Sequence, residues 1–96
     1  MPTRKARILA IDEQLYFRSF VEGLLGEEGY EVHTASGGPD ALEMLGRDGP
    51  FDVAVMDLAL PDSDGISMIG RLRERCETLR VIITSSVGDV RSVAAA

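Results

Sequence analysis

The residue best placed for chemistry is Asp57, which ends a short apolar segment, 53–56. Pro61 and Gly65 follow at intervals of four residues, which indicates a turn-rich loop directly after the acid. The apolar segment is typical of a strand that is buried on both faces. Because ligands of open α/β sheets bind at the carboxyl ends of the strands, Asp57 is a candidate nucleophile or metal ligand.

Two further apolar segments also end on polar residues. Segment 8–11 is followed by Asp12 and Glu13, and segment 80–84 ends on hydroxyl residues, at 84–86. If these segments are parallel strands, their carboxyl ends share one edge of the sheet and the carboxylates crowd together. Such a group needs a cation, and Mg²⁺ prefers carboxylate and carbonyl oxygens. The pattern therefore predicts an acidic, metal-competent edge that suits phosphoryl chemistry.

A simpler interpretation is that each acid caps the helix after it. Asp12 could cap the first helix, and Asp62, Ser63 or Asp64 could cap the third. For any one residue capping is the commoner role. Three polar strand ends on a single edge favour a site instead.

Strands and helices alternate along the chain. Strands are predicted at 8–11, 30–35, 53–56 and 80–84. Helices are predicted from 14 to a stop at Gly26 or Gly29, at 39–48 and at 66–75, with another helix beginning at 88–89. The first, third and fourth strands resemble fully buried strands, whereas the second alternates and belongs at an edge. This predicts a flavodoxin-like, doubly wound parallel sheet of order 2-1-3-4, without the usual fifth strand.

Composition limits the function classes. The 96 residues predict one domain, 1–96, and a net charge of −6 argues against direct nucleic-acid binding. Cys76 is the only cysteine and His33 the only histidine, so a structural thiol in a reducing compartment is expected. No apolar run approaches the roughly 20 residues of a membrane span, which predicts a cytoplasmic protein.

The ordered motifs resemble the receiver domain of bacterial two-component response regulators, the CheY-like family. Segment 8–14 is similar to the family's first strand with its acidic pair. The spacing Asp57-x-x-x-Pro61-x-x-x-Gly65 is similar to its phosphoacceptor segment, and 81–89 to its fourth strand and the turn that follows. The resemblance extends over the whole chain.

The resemblance implies a role for each matching residue. Asp57 would accept a phosphoryl group from a histidine kinase or a histidine phosphotransfer protein. Asp12, Glu13, Asp57 and the carbonyl of Ala59 would hold Mg²⁺, and Ser85 would be the switch hydroxyl that bonds the phosphoryl group. The domain would be a regulatory phosphoacceptor and not an enzyme.

Two departures from the family pattern stand out. Glu13 occupies a position where the family more often has Asp. The family's lysine, fifth strand and last helix would lie after Ala96, and Lys5 cannot replace the lysine because it lies about 7 residues, or roughly 23 Å of strand, from Asp12. The expectation is an incomplete receiver domain whose fourth strand is an apolar edge. We expect two copies to form a homodimer through this edge and the last helix.

Two other functions remain open at this stage. Enzymes of the haloacid-dehalogenase type also use an aspartate after a strand, but they need a second acid where this chain has Ala59. The other alternative is a receiver-like interaction or dimerisation module that does not use phosphate.

Overall fold

The structure is a computed structural model that describes residues 6–57 and 65–84. Its strands are β1 (Arg7–Ile11), β2 (Glu31–Ala35), β3 (Val53–Asp57) and β4 (Arg80–Thr84). Its helices are α1 (Leu15–Glu27), α2 (Gly38–Asp48) and α3 (Gly65–Arg75). None of the helices in these ranges has the length and apolar character needed to cross a bilayer. The helix predicted from 88–89 lies outside the described residues.

The four strands form one parallel sheet of order β2-β1-β3-β4, which confirms the predicted order. The first crossover leads from β1 to β2 in one direction, and the next two lead the opposite way across the sheet. Right-handed crossovers therefore place α1 on one face and α2 and α3 on the other. The carboxyl ends of all described strands meet at one edge, as the sequence predicts.

The main core lies between the sheet and helices α2 and α3. Leu9 and Met56 of the central strands are fully buried against it, together with Phe51 and Leu72. Cys76, directly after α3, is buried too, and its Sγ lies 3.5 Å from the carbonyl oxygen of Phe51. This packing supports the structural role expected for the thiol.

Strand β4 is less buried than its apolar sequence suggests. Val81 faces the main core, but Ile82 on the other face is 46 % exposed. Within the described residues β4 pairs only with β3, so it is an edge strand. The expectation of a fully buried fourth strand is wrong, because burial depends on a neighbouring element that the strand's own sequence does not specify. The expected apolar edge is present.

Arg7 fastens the amino-terminal end of the sheet. Its Nε lies 3.0 Å from Glu31 Oε2, and its Nη1 donates to the carbonyl oxygens of Asp48 and Pro50 at 3.2 and 2.6 Å. The guanidinium also lies 4.6 Å from the ring centroid of Phe51. One side chain thus joins β1, β2 and the connection between α2 and β3.

His33 extends this contact group along β2. Its Nε2 lies 2.8 Å from Glu31 Oε2, and its ring meets that of Phe51 edge-on at 5.2 Å. The His33 and Arg7 side chains hold the pKa of Glu31 below its ordinary value of 4.5. His33 is half-buried in the middle of β2, and its contacts with Glu31 and Phe51 give it a structural role.

Candidate functional site

Two buried carboxylates lie side by side at the carboxyl edge of the sheet. The β1–β3 register pairs Ile11 with Met56, so the residues that follow, Asp12 and Asp57, are adjacent on strands about 4.8 Å apart. They are only 6 % and 7 % exposed. Like charges at this spacing repel unless a cation lies between or near them. The structure therefore brings together two of the predicted site residues.

Asp12 is held firmly at this edge. Its backbone N–H donates to the Ala35 carbonyl at 3.1 Å, which extends the β1–β2 ladder by one residue. Its Oδ1 accepts the backbone N–H of Gln14 at 2.8 Å. Gln14 is the N-cap residue of α1 and makes no side-chain cap hydrogen bond. Asp12 thus orders the turn before α1 without being the N-cap that the capping interpretation expects, and its carboxylate has further lone pairs for a cation.

The donor set suits a hard divalent cation. Mg²⁺ commonly takes one or two carboxylates and keeps several waters, and Asp12 with Asp57 provides that number. Within 6–57 and 65–84, however, no group of three or more His, Cys, Asp or Glu side chains is arranged to hold a metal. Glu13 is exposed, so the ligand role expected for it stays a prediction.

The hydroxyl of Thr84 bonds the backbone of the neighbouring strand. Thr84 is the register partner of Asp57 on β4. Its Oγ1 donates to the main-chain carbonyl of Met56 at 3.3 Å. A hydroxyl that bonds the β3 backbone is a structural group, and the assignment of the switch role to Ser85 stays a prediction.

Several predicted site features fall outside the described residues. These are Ala59, Ser85 and the other residues between Asp57 and Gly65, which include Pro61. Their roles therefore remain predictions.

Sequence reasoning missed Arg18. From the second turn of α1, its Nη1 donates to the main-chain carbonyl of Asp12 at 2.7 Å. In the sequence, Arg18 is one charged residue between apolar positions of a helix, which is typical of a solvated face. The usable signal was its distance of four residues from Gln14, which places it one helical turn above the start of α1.

Sequence reasoning also missed an apolar stripe on the exposed side of α1. Tyr16, Phe20 and Leu24 recur every fourth residue and are all more than half exposed. We call these three residues the α1 stripe. It starts at the second residue of α1, so its Tyr16 end lies nearest the carboxyl edge and Leu24 lies farther along the helix.

Comparison with known protein families gives a consistent result. The family model of the response regulator receiver domain matches residues 8–96. Sporulation initiation phosphotransferase F of Bacillus subtilis is 31 % identical over 84 residues, which are 88 % of this chain and 67 % of that protein. Response regulator MprA of Mycobacterium leprae is 35 % identical over 80 residues, 83 % of this chain. The chain spans 35 % of the length of MprA.

Solved structures agree with these matches. Response regulator TrrA from Thermotoga maritima, in complex with Mg²⁺-BeF, superposes with a TM-score of 0.76 at 30 % identity, over 91 % of this chain and 75 % of that one. A Francisella response regulator receiver domain gives a TM-score of 0.74 at 28 % identity, over 88 % and 69 % of the two chains.

Proposed function

The chain belongs to the response regulator receiver domain family, and from that premise we propose that it accepts a phosphoryl group on Asp57 from a histidine kinase or a histidine phosphotransfer protein. The family is a regulatory phosphoacceptor domain of two-component systems and not a conventional enzyme. The observation that carries the proposal is the pair of buried carboxylates, Asp12 and Asp57, at the ends of adjacent parallel strands.

The transfer chemistry follows from a carboxylate nucleophile. A carboxylate oxygen of Asp57 attacks the phosphorus of the phosphohistidine and forms a P–O bond. The P–N bond breaks, and the imidazole leaves with the electron pair and takes up a proton. Burial of Asp57 excludes competing water and strengthens every electrostatic interaction with the transferred group.

Mg²⁺ would be held by Asp12, Asp57, the Ala59 carbonyl and Glu13, and would supply charge neutralisation at the phosphoryl oxygens. The Mg²⁺-BeF complex of the similar protein TrrA supports the choice of Mg²⁺ as the cation. Ser85 would donate its hydroxyl to a phosphoryl oxygen, and its movement would change the surface around β4. The bond from Thr84 to Met56 favours Ser85 for this role.

The α1 stripe is the surface that a phosphodonor helix would contact. Contiguous exposed apolar side chains mark interaction surfaces, and this set begins with Tyr16, at the end of α1 nearest Asp12. An amphipathic helix is the complementary shape for three residues spaced by one helical turn. Exposed Glu27, three residues after Leu24 on α1, favours a donor with a basic residue beside its apolar face.

The edge of β4 would join two copies of this chain. Antiparallel pairing centred on Ile82 places the exposed Ile82 side chains of the two copies together. The same register sets Arg80 of one copy opposite Thr84 of the other, so no like charges meet across the pair. The resulting C2 interface would continue the sheet from one copy into the next.

The free, buried Cys76 favours a cytoplasmic location, and the net charge of −6 disfavours direct nucleic-acid binding.

The central test is phosphorylation by a small donor. The protein is incubated with Mg²⁺ and acetyl phosphate or phosphoramidate, and its intact mass is followed beside an Asp57→Asn control. We expect an acid-stable, base-labile gain of one phosphoryl group that is absent from Asp57→Asn. No gain by a folded, Mg²⁺-binding sample would reject the proposal and favour the alternative of a receiver-like interaction module.

A further inference from the structure

Asp12 is held by three hydrogen bonds of different kinds. Its N–H bonds Ala35, its Oδ1 bonds the N–H of Gln14, and its carbonyl accepts from Arg18. The first two partners are main-chain atoms, which the fold supplies whatever the side chains are. Only the third has the side chain of another residue as its partner. Arg18 is therefore the residue whose replacement would change how firmly the Asp12 main chain is held.

The turn that Arg18 bonds is short. Only Asp12, Glu13 and Gln14 lie between the last residue of β1 and the first of α1. Rotation of the Asp12 peptide would therefore move both acidic side chains of the turn. The bond from Arg18 Nη1 is 2.7 Å long, within the range of charge-assisted hydrogen bonds, and the residue is half-buried, so solvent competes with it only in part.

Arg18 could act on a bound cation in two opposed ways. As a positive charge near the acidic edge, it would repel Mg²⁺, and its removal would tighten binding. As an anchor of the Asp12 peptide, it would pre-organise the carboxylates, and its removal would weaken binding. Arg18 makes a short, directed hydrogen bond to the Asp12 carbonyl in place of an ion pair with a carboxylate of the turn. This contact favours the role of an anchor.

We propose that Arg18 is a positioning residue for Mg²⁺, acting through the main-chain carbonyl of Asp12 on the turn that carries Asp12 and Glu13. The inference rests on the proposed function, because it assumes that this edge binds Mg²⁺. Residues that orient metal ligands typically change metal affinity 10- to 100-fold when they are replaced. Since Arg18 orients a turn and not a ligand oxygen directly, we expect an effect of about 10-fold.

The test compares the intact chain with three variants. Arg18→Met removes the charge and the donor but keeps most of the apolar stem, and Arg18→Lys restores a charged donor. Arg47→Met is the matched control, because Arg47 is exposed on α2 and its recorded partner is Asp48 at 3.5 Å. Mg²⁺ affinity is measured by calorimetry without any phosphodonor. The Mg²⁺ midpoint and the plateau rate of phosphorylation by acetyl phosphate are measured separately.

We expect Arg18→Met to weaken Mg²⁺ binding about 10-fold and to raise the Mg²⁺ midpoint equally, with a nearly unchanged plateau rate. Arg18→Lys should recover part of the affinity, and Arg47→Met should match the wild type. Urea unfolding of each variant gives its folded fraction. A merely structural Arg18 would lower the urea midpoint without changing the Mg²⁺ affinity of the folded protein, and that result overturns the inference. Tighter Mg²⁺ binding by Arg18→Met overturns it as well.

The calorimetric measurement separates this inference from the proposed function. A wild type that binds Mg²⁺ but gains no phosphoryl group would refute the phosphoacceptor proposal, while a weakened Arg18→Met would still support the positioning role. A wild type that is phosphorylated, with Arg18→Met unchanged in Mg²⁺ affinity, would refute the positioning role alone.

Discussion

Thr84 lies opposite Asp57 in the β3–β4 ladder, but its hydroxyl donates to the carbonyl of Met56 and so serves the strand backbone. The sequence offers three consecutive hydroxyls after the fourth apolar segment, and composition alone does not distinguish them. The hydrogen bond argues against Thr84, because a donor engaged by a main-chain carbonyl is not available to a phosphoryl oxygen.

Thr84→Val should therefore leave phosphorylation intact while lowering stability. The lost hydrogen bond is worth about 1 kcal/mol, which should appear as a lower urea midpoint. The initial rate of phosphorylation by acetyl phosphate should stay within about twofold of the wild type. Ser85→Ala is the contrasting variant, expected to accept the phosphoryl group but to lose the accompanying change in amide chemical shifts. Loss of phosphorylation in Thr84→Val would contradict the assignment.

The strand order was predictable because the pattern of each apolar segment indicates whether the strand is buried on both faces or lies at an edge. Residues 8–11 and 53–56 are short, unbroken and end on acids, and alternating strands and helices leave few topologies. The adjacency of Asp12 and Asp57 followed from that order. The exposure of Ile82 did not, because 80–84 has the same apolar composition whether or not another element packs on that face of the sheet. The role of Arg18 did not either, since a helical arginine is identical in sequence whether it meets solvent or a carbonyl.

Phe20→Ala should separate partner recognition from chemistry. Aromatic residues at the centre of an interface commonly contribute more than 1 kcal/mol, so phosphotransfer from a cognate phosphorylated kinase should slow about tenfold. The rate with acetyl phosphate should not change, because Phe20 does not approach the carboxylates. Ile66→Ala, at an exposed apolar position on α3, is the control. Equal losses with both donors would place the defect in the site and not in docking.

Ile82→Lys should disrupt self-association. A charge on the exposed face of an edge strand opposes strand pairing with another copy. Sedimentation at tens of micromolar should show a dimer for the wild type and a monomer for the variant, with Ile66→Lys as the control for an added surface charge. A wild type that sediments as a clean monomer at that concentration would count against the proposed interface.

Glu31→Gln should change the acid sensitivity of the fold. The pKa of Glu31 is lowered first by His33 and then by Arg7, so the ionised carboxylate stabilises the folded state above its unfolded value of 4.5. That stabilisation is lost as the pH falls through the lower folded pKa. Between about pH 5 and about pH 3, the urea midpoint should fall more steeply in the wild type than in Glu31→Gln.

His33→Gln tests the same group from the other side. It removes the largest cause of the lowered pKa while Arg7 remains, so its pH profile should lie between those of the wild type and Glu31→Gln. Identical profiles for all three proteins would show that Glu31 carries no such linkage.

The contacts of Arg7 stiffen the amino-terminal end of the sheet, opposite the end that carries Asp12 and Asp57. A single guanidinium joins two strands and the α2–β3 connection at the amino edge, far from the carboxylates. A change of charge at Asp57 would therefore act on a platform that is anchored behind it, and displacement would be directed outward into the helix starts of the carboxyl edge. Loosening the anchor by Arg7→Met would let the strands shift with the charge, so the same chemical event would reach the surface with a smaller, less defined movement.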